Sequence, residues 1–255
     1  MAGVGVLAVT DHDTLAGVPE ALRAGEAAGV RVIPGVELSV HAPSGSMHLL
    51  GYFADPAPEP LAGRLAELRA ARAVRARRIV ERLVALGAPI DYADVAARAA
   101  GAIGRPHLAD ALVAAGHARD RQDAFERYLA DGAPAYVAHE SLEPREAIRL
   151  VADSGGAPVL AHPASLRMGA RELAHFVRRL TGWGLRGIEV HRPEHTPERR
   201  ATLAELAHRN RIVASGGSDF HRPEDPLRPG DTGVPPLPLD AIDRLLEGSG
   251  ETVIR

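Results

Sequence analysis

Two short segments, far apart in the chain, combine aspartate with histidine where an apolar run gives way to polar residues. Thr10–Thr14 is Thr-Asp-His-Asp-Thr, and Gly216–His221 is Gly-Gly-Ser-Asp-Phe-His. Carboxylate oxygen and imidazole nitrogen together suit Zn²⁺, Mn²⁺ or Fe²⁺. Segments separated by about 200 residues can meet at one end of a barrel of strands. The pair therefore predicts a metal centre at that end.

Further acidic and imidazole side chains stand near the ends of other predicted strands. A single histidine in such a position is more often a core or surface residue than a ligand. The carboxyl ends of the strands of an α/β barrel face one common rim, however, so a whole set is harder to attribute to chance. His48 fits least well, because it stands at the start of its strand. The set comprises His12, Glu37, His48, His162, His191, Asp219 and His221.

The individual motifs differ in how strongly they point to ligands. Asp219 and His221 project the same way in an extended segment, and the preceding glycines allow a tight approach. In the first segment, an alternative is that Asp13 or Thr14 caps the following helix. Gly104–His107 is Gly-Arg-Pro-His, whose arginine and histidine suit a phosphate but form a weak motif alone.

Composition excludes several classes of chemistry and partner. The 255 residues contain no cysteine, which excludes disulfides and thiolate metal sites. The sequence also has no Walker phosphate loop and no G-x-S-x-G nucleophile elbow, so metal-assisted hydrolysis is the best chemical interpretation. A net charge of −3 argues against binding bulk duplex nucleic acid but not against a short nucleotide. No apolar run approaches the ~20 residues of a membrane span, so we expect a soluble, cytoplasmic protein.

Short apolar runs alternate with helical stretches, which indicates an α/β fold with a mostly parallel sheet. Between residues 55 and 140 the rhythm changes, and a long helix of period near 3.6 begins at Leu61. We predict a barrel built from residues 1–54 and 141–255, with residues 55–140 as a helical insertion. Seven arginines between Arg64 and Arg82 fit a solvated helix face better than a nucleic-acid surface. The predicted strands are Val4–Thr10, Val30–Leu38, His48–Phe53, Ala157–Ala161, Leu185–His191 and Arg211–Ser215.

The motifs taken together resemble the polymerase and histidinol phosphatase (PHP) family of metal-dependent phosphoesterases. The resemblance is carried by LAVTDHDTLAG, VIPGVELSV, HLLGYF, GRPHLADALV, PAYV, VLAHP, GIEVHRPEH and GSDFH, in this order. It is strongest to small bacterial members with an inserted helical subdomain, which hydrolyse nucleoside 3′,5′-bisphosphates and trim short RNA from the 5′ end. It implies a distorted (β/α)7 barrel with two or three divalent metal ions, Mn, Fe or Zn, on its C-terminal rim.

The resemblance also implies roles for individual residues. Glu37 would bridge two metals, and a hydroxide acidified by the metals would attack phosphorus, with His12, Asp219 and His221 as catalytic residues. Arg105, His107 and His191 are the expected substrate contacts. The metal ligands implied by the family pattern are His12, Glu37, His48, His162, Asp219 and His221.

Three departures from the family pattern bear on the activity. The family opens with a strand that carries His-x-His, and this sequence starts after that position, so we expect the barrel to lack its first strand. Ala133 stands where relatives often have lysine, and His191-Arg192 stands where they often have Tyr-His. One alternative is a catalytically impaired remnant that binds metal or nucleotide. Another is a phosphatase of the histidinol-phosphate type. The sequence does not indicate an oligomeric state.

Overall fold

The computed structural model describes residues 3–99, 103–138, 141–221, 226–232 and 240–247. Contacts divide the chain into two compact units. The sheet unit comprises residues 1–62 and 141–255, and the helical unit comprises residues 63–140.

The sheet unit is built on a six-stranded mixed sheet that curls into a half-barrel with helices around it. The strands are hydrogen-bonded in the order of the sequence. All six predicted strands are present, and each boundary lies within two residues of its predicted position, which confirms the predicted α/β class. The strands are β1 (Val6–Val9), β2 (Arg31–Val40), β3 (Met47–Tyr52), β4 (Ala157–Leu160), β5 (Gly187–His191) and β6 (Val213–Gly216).

Strand β3 departs from the expectation of a mostly parallel sheet, because it runs antiparallel to both β2 and β4. The pairs β1–β2, β4–β5 and β5–β6 are parallel. The connection between β2 and β3 covers only residues 41–46, whereas a parallel crossover needs a dozen or more residues. The start of β3 therefore lies at the same edge of the sheet as the end of β2, with His48 opposite Ser39.

The helices follow the alternation expected from the sequence. Helix α1 (Val18–Ala28) is capped at its C-terminus by Gly29, whose φ of 66° is the left-handed conformation that closes many helices. A π-helix (Phe125–Leu129) and a 3₁₀ turn (Pro163–Leu166) complete the described helical structure. The α-helices are α1 (Val18–Ala28), α2 (Leu61–Ala85), α3 (Tyr92–Ala97), α4 (Arg105–Ala114), α5 (Arg121–Ala124), α6 (Pro144–Asp153), α7 (Ala170–Gly182), α8 (Pro197–Asn210) and α9 (Asp240–Glu247).

Buried apolar residues fix the position of the sheet. Val36 and Leu38 of β2, Leu49 of β3 and Ile188 of β5 are completely buried. Helices α6 and α7 each bury one apolar stripe, for example Ile148. Burial of such side chains is worth roughly 1.5–3 kcal/mol each before entropy is counted. The strand ends that carry the polar side chains are therefore held in place by the packed core of the sheet.

The helical unit has its own apolar core, to which α2 contributes Ile79 and Leu83 and α4 contributes Leu108 and Leu112. Two arginines of the run in α2 are not simply solvated. Arg75 donates a 2.8 Å hydrogen bond to the Val137 carbonyl, and Arg82 donates to the Tyr136 carbonyl. These bonds fix the segment around Tyr136. Among the described helices, none is both long enough and apolar enough to cross a membrane.

Candidate metal centre

The strands of the sheet unit bring the predicted imidazoles to one edge. Glu37 lies inside β2, and a parallel bridge pairs it with His12, three residues after β1 ends. His162 follows β4, and Asp219 and His221 follow β6. His48 reaches the same edge because β3 is antiparallel, although it stands near the start of its strand. The antiparallel direction of β3 therefore explains how His48 can join the other residues although it stands at the start of its strand.

Three ligand-type atoms converge at the carboxylate of Glu37. His48 Nδ1 lies 2.7 Å and His162 Nε2 3.0 Å from Glu37 Oε1. The two imidazole nitrogens are 3.1 Å from each other. His12 Nδ1 lies 3.6 Å from the other oxygen, Glu37 Oε2. One carboxylate thus stands between three histidines, two of which approach the same oxygen atom.

This geometry fits a divalent metal ion. Two ring nitrogens 3.1 Å apart are close to the separation of two ligands that share one ion through bonds of about 2.1 Å. Ser165 Oγ lies 2.8 Å from the Ser46 carbonyl, to which it donates, and 3.0 Å from His162 Nδ1. His162 Nδ1 is therefore the donor to Ser165, and Nε2, which donates to Glu37 in the metal-free protein, is the nitrogen that would bind a metal after losing its proton. His12, Glu37 and His48 also place one ligand atom each within 4.8 Å of one another.

Electrostatics keeps the Glu37 carboxyl ionised. Burial alone raises its pKa, but the hydrogen bonds from His162 and His48 and the nearby His12 outweigh burial and hold the pKa well below its usual range. Burial lowers the pKa of His12, which favours its neutral form. For His162, burial lowers the pKa, but the interaction with Glu37 exceeds this effect and raises it. The cluster is an anion surrounded by imidazoles, which is an environment that attracts cations.

A second group of imidazoles continues from His12 toward the loop after β6. The His12 ring lies 5.0 Å from that of His48 and 5.7 Å from that of His221, measured between centroids. His221 Nδ1 donates a 2.7 Å hydrogen bond to the Asp219 carbonyl, so Nε2 is the nitrogen that a metal would use. Five of the six predicted ligands thus form a chain of contacts, and Asp219 joins it through the backbone of its own loop.

Three non-glycine residues at this edge have left-handed backbone conformations. The φ angles are 52° at Asp13, 23° at His162 and 55° at Asp219. Asp13 is buried, and its carboxylate accepts hydrogen bonds from the Ser39 backbone amide and side chain. The alternative that Asp13 or Thr14 caps the next helix is wrong, because α1 begins at Val18 and Gly17 is its N-cap residue. Such backbone strain is common where a site must be held in a fixed geometry.

Two residues that the sequence reasoning missed lie beside the predicted ligands. Glu189 is 4% exposed and accepts a 2.7 Å hydrogen bond from the backbone amide of His162. Burial raises the pKa of Glu189, against the lowering effect of Arg192. Arg192 is 5% exposed and donates to both Glu189 and Asp219. Glu189 lies inside β5 and Arg192 directly after it, and a charged residue type at either position does not by itself indicate a buried side chain.

The predicted ligands line a cleft of about 720 Å³ in the sheet unit. The segment after β5 forms another part of the wall, including Arg192 and Arg199. His191, a predicted substrate contact, does not line this cleft. A β-bulge between Glu189 and His191 breaks the alternation of side chains, so that Arg192 lines the cleft in its place. The lining residues are His12, Glu37, His48, His162, Ala164, Ser165, Arg192, Glu194, His195, Arg199, Asp219 and His221.

The other two predicted substrate contacts belong to the helical unit. Arg105 begins α4 and forms an ion pair of 2.6 Å with Asp131, and it also donates to the Leu129 carbonyl. His107 Nδ1 accepts a hydrogen bond from the Gly104 backbone amide at the start of the same helix. Both side chains therefore have structural partners within their own unit.

Comparison with known proteins gives consistent matches over most of the chain, although no protein-family model matches it. A 3′,5′-nucleoside bisphosphate phosphatase from Chromobacterium violaceum is 34% identical over 227 residues, which are 86% of this chain and 77% of that protein. The 5′-3′ exoribonuclease Rnm from Salmonella typhimurium is 37% identical over 224 residues, which are 86% and 76% of the two chains.

Solved structures give the same result for the fold. A crystal structure described as a metal-dependent phosphoesterase from Bifidobacterium adolescentis matches with a TM-score of 0.83 and 34% sequence identity. The match covers 99% of this chain and 88% of that one. The shared sheet, the sequence identity and the convergent imidazoles show that the chain belongs to the PHP family of metal-dependent phosphoesterases.

Proposed function

We propose that this protein is a metal-dependent phosphoesterase that hydrolyses a phosphate ester of a small nucleotide. The observation that carries the proposal is the convergence of His48 Nδ1 and His162 Nε2 on one oxygen of Glu37. Each of these three atoms lies within 3.1 Å of the other two. Family membership adds the reaction class, since the matched relatives are named as a phosphatase, an exoribonuclease and a phosphoesterase.

The proposed ligands fall into two groups around Glu37. Glu37, His48 and His162 would hold one divalent ion, and His12, His221 and Asp219 would serve a second. Mn²⁺, Fe²⁺ and Zn²⁺ all suit this donor set, so the identity of the metal depends on availability. Ions bound there would neutralise phosphate oxygens and lower the pKa of a water molecule. His12, Asp219 and His221 are the proposed catalytic residues on this basis.

The chain's own residues would orient the substrate in the cleft. Arg199 is exposed on the wall formed by the segment after β5, where its guanidinium can meet a phosphate oxygen. Ser165 holds the His162 ring through Nδ1, which fixes the direction of Nε2. Arg105, His107 and His191 remain predictions as substrate contacts, since the first two have partners in the helical unit and the third is outside the cleft lining.

A nucleoside 3′,5′-bisphosphate or the 5′ end of a short RNA is the proposed substrate. The names of the matched relatives support this choice, because one acts on a nucleoside bisphosphate and the other on RNA. The helical unit between β3 and α6 supports it by analogy with nucleotide-acting members of the family. A cytoplasmic location stays a prediction from the composition.

The test is a direct comparison of substrates with metal-loaded protein. Purified protein is incubated with Mn²⁺ and either a nucleoside 3′,5′-bisphosphate, a short 5′-phosphorylated RNA or histidinol phosphate, and released phosphate and nucleotide are measured. We expect turnover of one of the first two that disappears with a chelator and with Glu37→Gln. Preferential turnover of histidinol phosphate would contradict the proposed substrate. Metal binding without turnover of any substrate would favour the catalytically impaired remnant.

A further inference from the structure

Arg192 is enclosed by three carboxylates on the Asp219 side of the centre. Its Nη1 donates to Glu189 Oε2 at 3.1 Å, and its Nη2 donates to Asp219 Oδ2 at 3.2 Å. Its Nε lies 3.3 Å from Glu194 Oε2. Only 6% of the Arg192 side chain is exposed, compared with 34% for Asp219 and 54% for Glu194. A cation is therefore built into the protein beside a predicted metal ligand.

The two carboxylates predicted to bind metal consequently differ in their counter-charges. Glu37 is surrounded by imidazoles, whose nitrogens can bind a metal once deprotonated, and it contacts no arginine among the interactions described for it. Asp219 already shares a hydrogen bond with a guanidinium whose charge is permanent. A divalent ion that approaches Asp219 is repelled by that guanidinium, and the repulsion is strong because Arg192 is buried.

Glu189 fixes the position of the Arg192 guanidinium. A buried arginine must keep its carboxylate partners, because leaving it uncompensated is strongly destabilising. Glu189 is buried as deeply as Arg192 and is itself fixed by the His162 backbone amide. The ion pair with Glu189 thus holds the Arg192 side chain in place, so it cannot move into solvent when a metal approaches Asp219.

We propose that Arg192 is a built-in counter-ion that competes with metal for Asp219, so that the centre fills its Glu37 side before its Asp219 side. The inference rests on the proposed metal centre and specifies its order of occupancy. Arg192 is a positioning residue in this scheme. The opposite role is that Arg192 orients Asp219 for ligation, as the hydrogen-bonded partners of metal ligands usually do, and removing it would then weaken metal binding.

The experiment is a calorimetric titration of chelator-treated protein with Mn²⁺ alone. The natural chain is expected to show a tight class of sites and a weaker one. In Arg192→Gln the weaker class should tighten by about 10–100-fold, the range over which partners of ligands alter metal affinity. Arg178→Gln removes the same charge from an exposed position on α7, outside the cleft lining, and should leave both classes within about twofold, because solvent screens it. Unchanged or weaker binding in Arg192→Gln overturns the proposal.

Three further variants keep the result decisive if Arg192→Gln does not fold. Asp219→Asn should abolish the weak class and leave the tight class unchanged, and loss of the tight class in this variant overturns the proposal. Arg192→Lys retains the charge and should leave the weak class weak. Glu37→Gln tests the metal centre itself, since retention of the tight class there refutes the proposed ligands whatever Arg192 does.

Discussion

Glu37 and Glu189 are each 4% exposed and belong to the same edge of the same sheet, yet their surroundings shift their pKa values in opposite directions. Imidazole hydrogen bonds lower the pKa of Glu37 despite its burial. Burial raises the pKa of Glu189, which faces a backbone amide and Arg192. The difference indicates that one buried glutamate is prepared to receive a cation and the other fixes the neighbouring structure.

The largest effect is expected from Glu37→Gln, which removes the negative charge at the point where the imidazoles converge. Metal content should fall to background, and kcat/KM on the preferred nucleotide should decrease by about 10³-fold or more. Elemental analysis and steady-state kinetics measure both quantities. Glu172→Gln, on the exposed surface of α7, is the control and should match the natural chain. Normal metal content in Glu37→Gln would show that Glu37 is not the central ligand.

Glu189→Gln is expected to reduce stability more than metal binding. The amide oxygen is a weaker acceptor for the hydrogen bonds from His162 and Arg192, so we expect a cost of about 2 kcal/mol in the free energy of unfolding. Urea denaturation and metal analysis separate the two effects, with exposed Glu26→Gln on α1 as the control. A loss of metal as complete as in Glu37→Gln would remove the distinction between the two glutamates.

Gly217→Ala perturbs Glu189 without touching its charge. A Cβ at this position would lie 2.8 Å from Glu189 Oε1, which is too close and forces the carboxylate to move. We expect a loss of about 1 kcal/mol in stability, measured by thermal or urea unfolding. Gly182→Ala at the end of α7 meets no atom within 4 Å and should be neutral or slightly stabilising. Equal stability of the two variants would show that the Glu189 carboxylate can move without a cost to the fold.

The smallest effect concerns pH in the metal-free protein. Because the folded pKa of Glu37 is lowered, its contribution to stability is present above its ordinary pKa of 4.5 and is lost as the pH falls below it. The folded pKa of Glu189 is raised, so its contribution is present below 4.5 and is lost as the pH rises through the folded pKa.

The stability difference between the natural chain and Glu37→Gln should therefore shrink on acidification, and the difference for Glu189→Gln should shrink as the pH rises. Urea unfolding at several pH values between about 3.5 and 7 measures both slopes. Slopes of the same sign would contradict the opposite environments of the two carboxylates.

Strand positions could be predicted from the sequence because each strand is a short apolar run bounded by glycine, proline or charged residues. The direction of β3 was missed, although the short connection over residues 41–46 already indicated a hairpin. Arg192 could not be found, because its burial depends on Asp219, 27 residues further along the chain. The bulge before His191 was equally hidden, since it arises from pairing with β6.

The left-handed backbone at Asp13, His162 and Asp219 has a consequence for laboratory evolution of this protein. Replacing one of these residues by glycine would relieve the backbone strain and so stabilise the fold. The same substitution would delete a carboxylate or an imidazole from the site. A screen for heat resistance alone would then enrich variants that survive higher temperatures and no longer turn over nucleotide. Selection for thermal tolerance should accordingly be coupled to a catalytic readout from its first round.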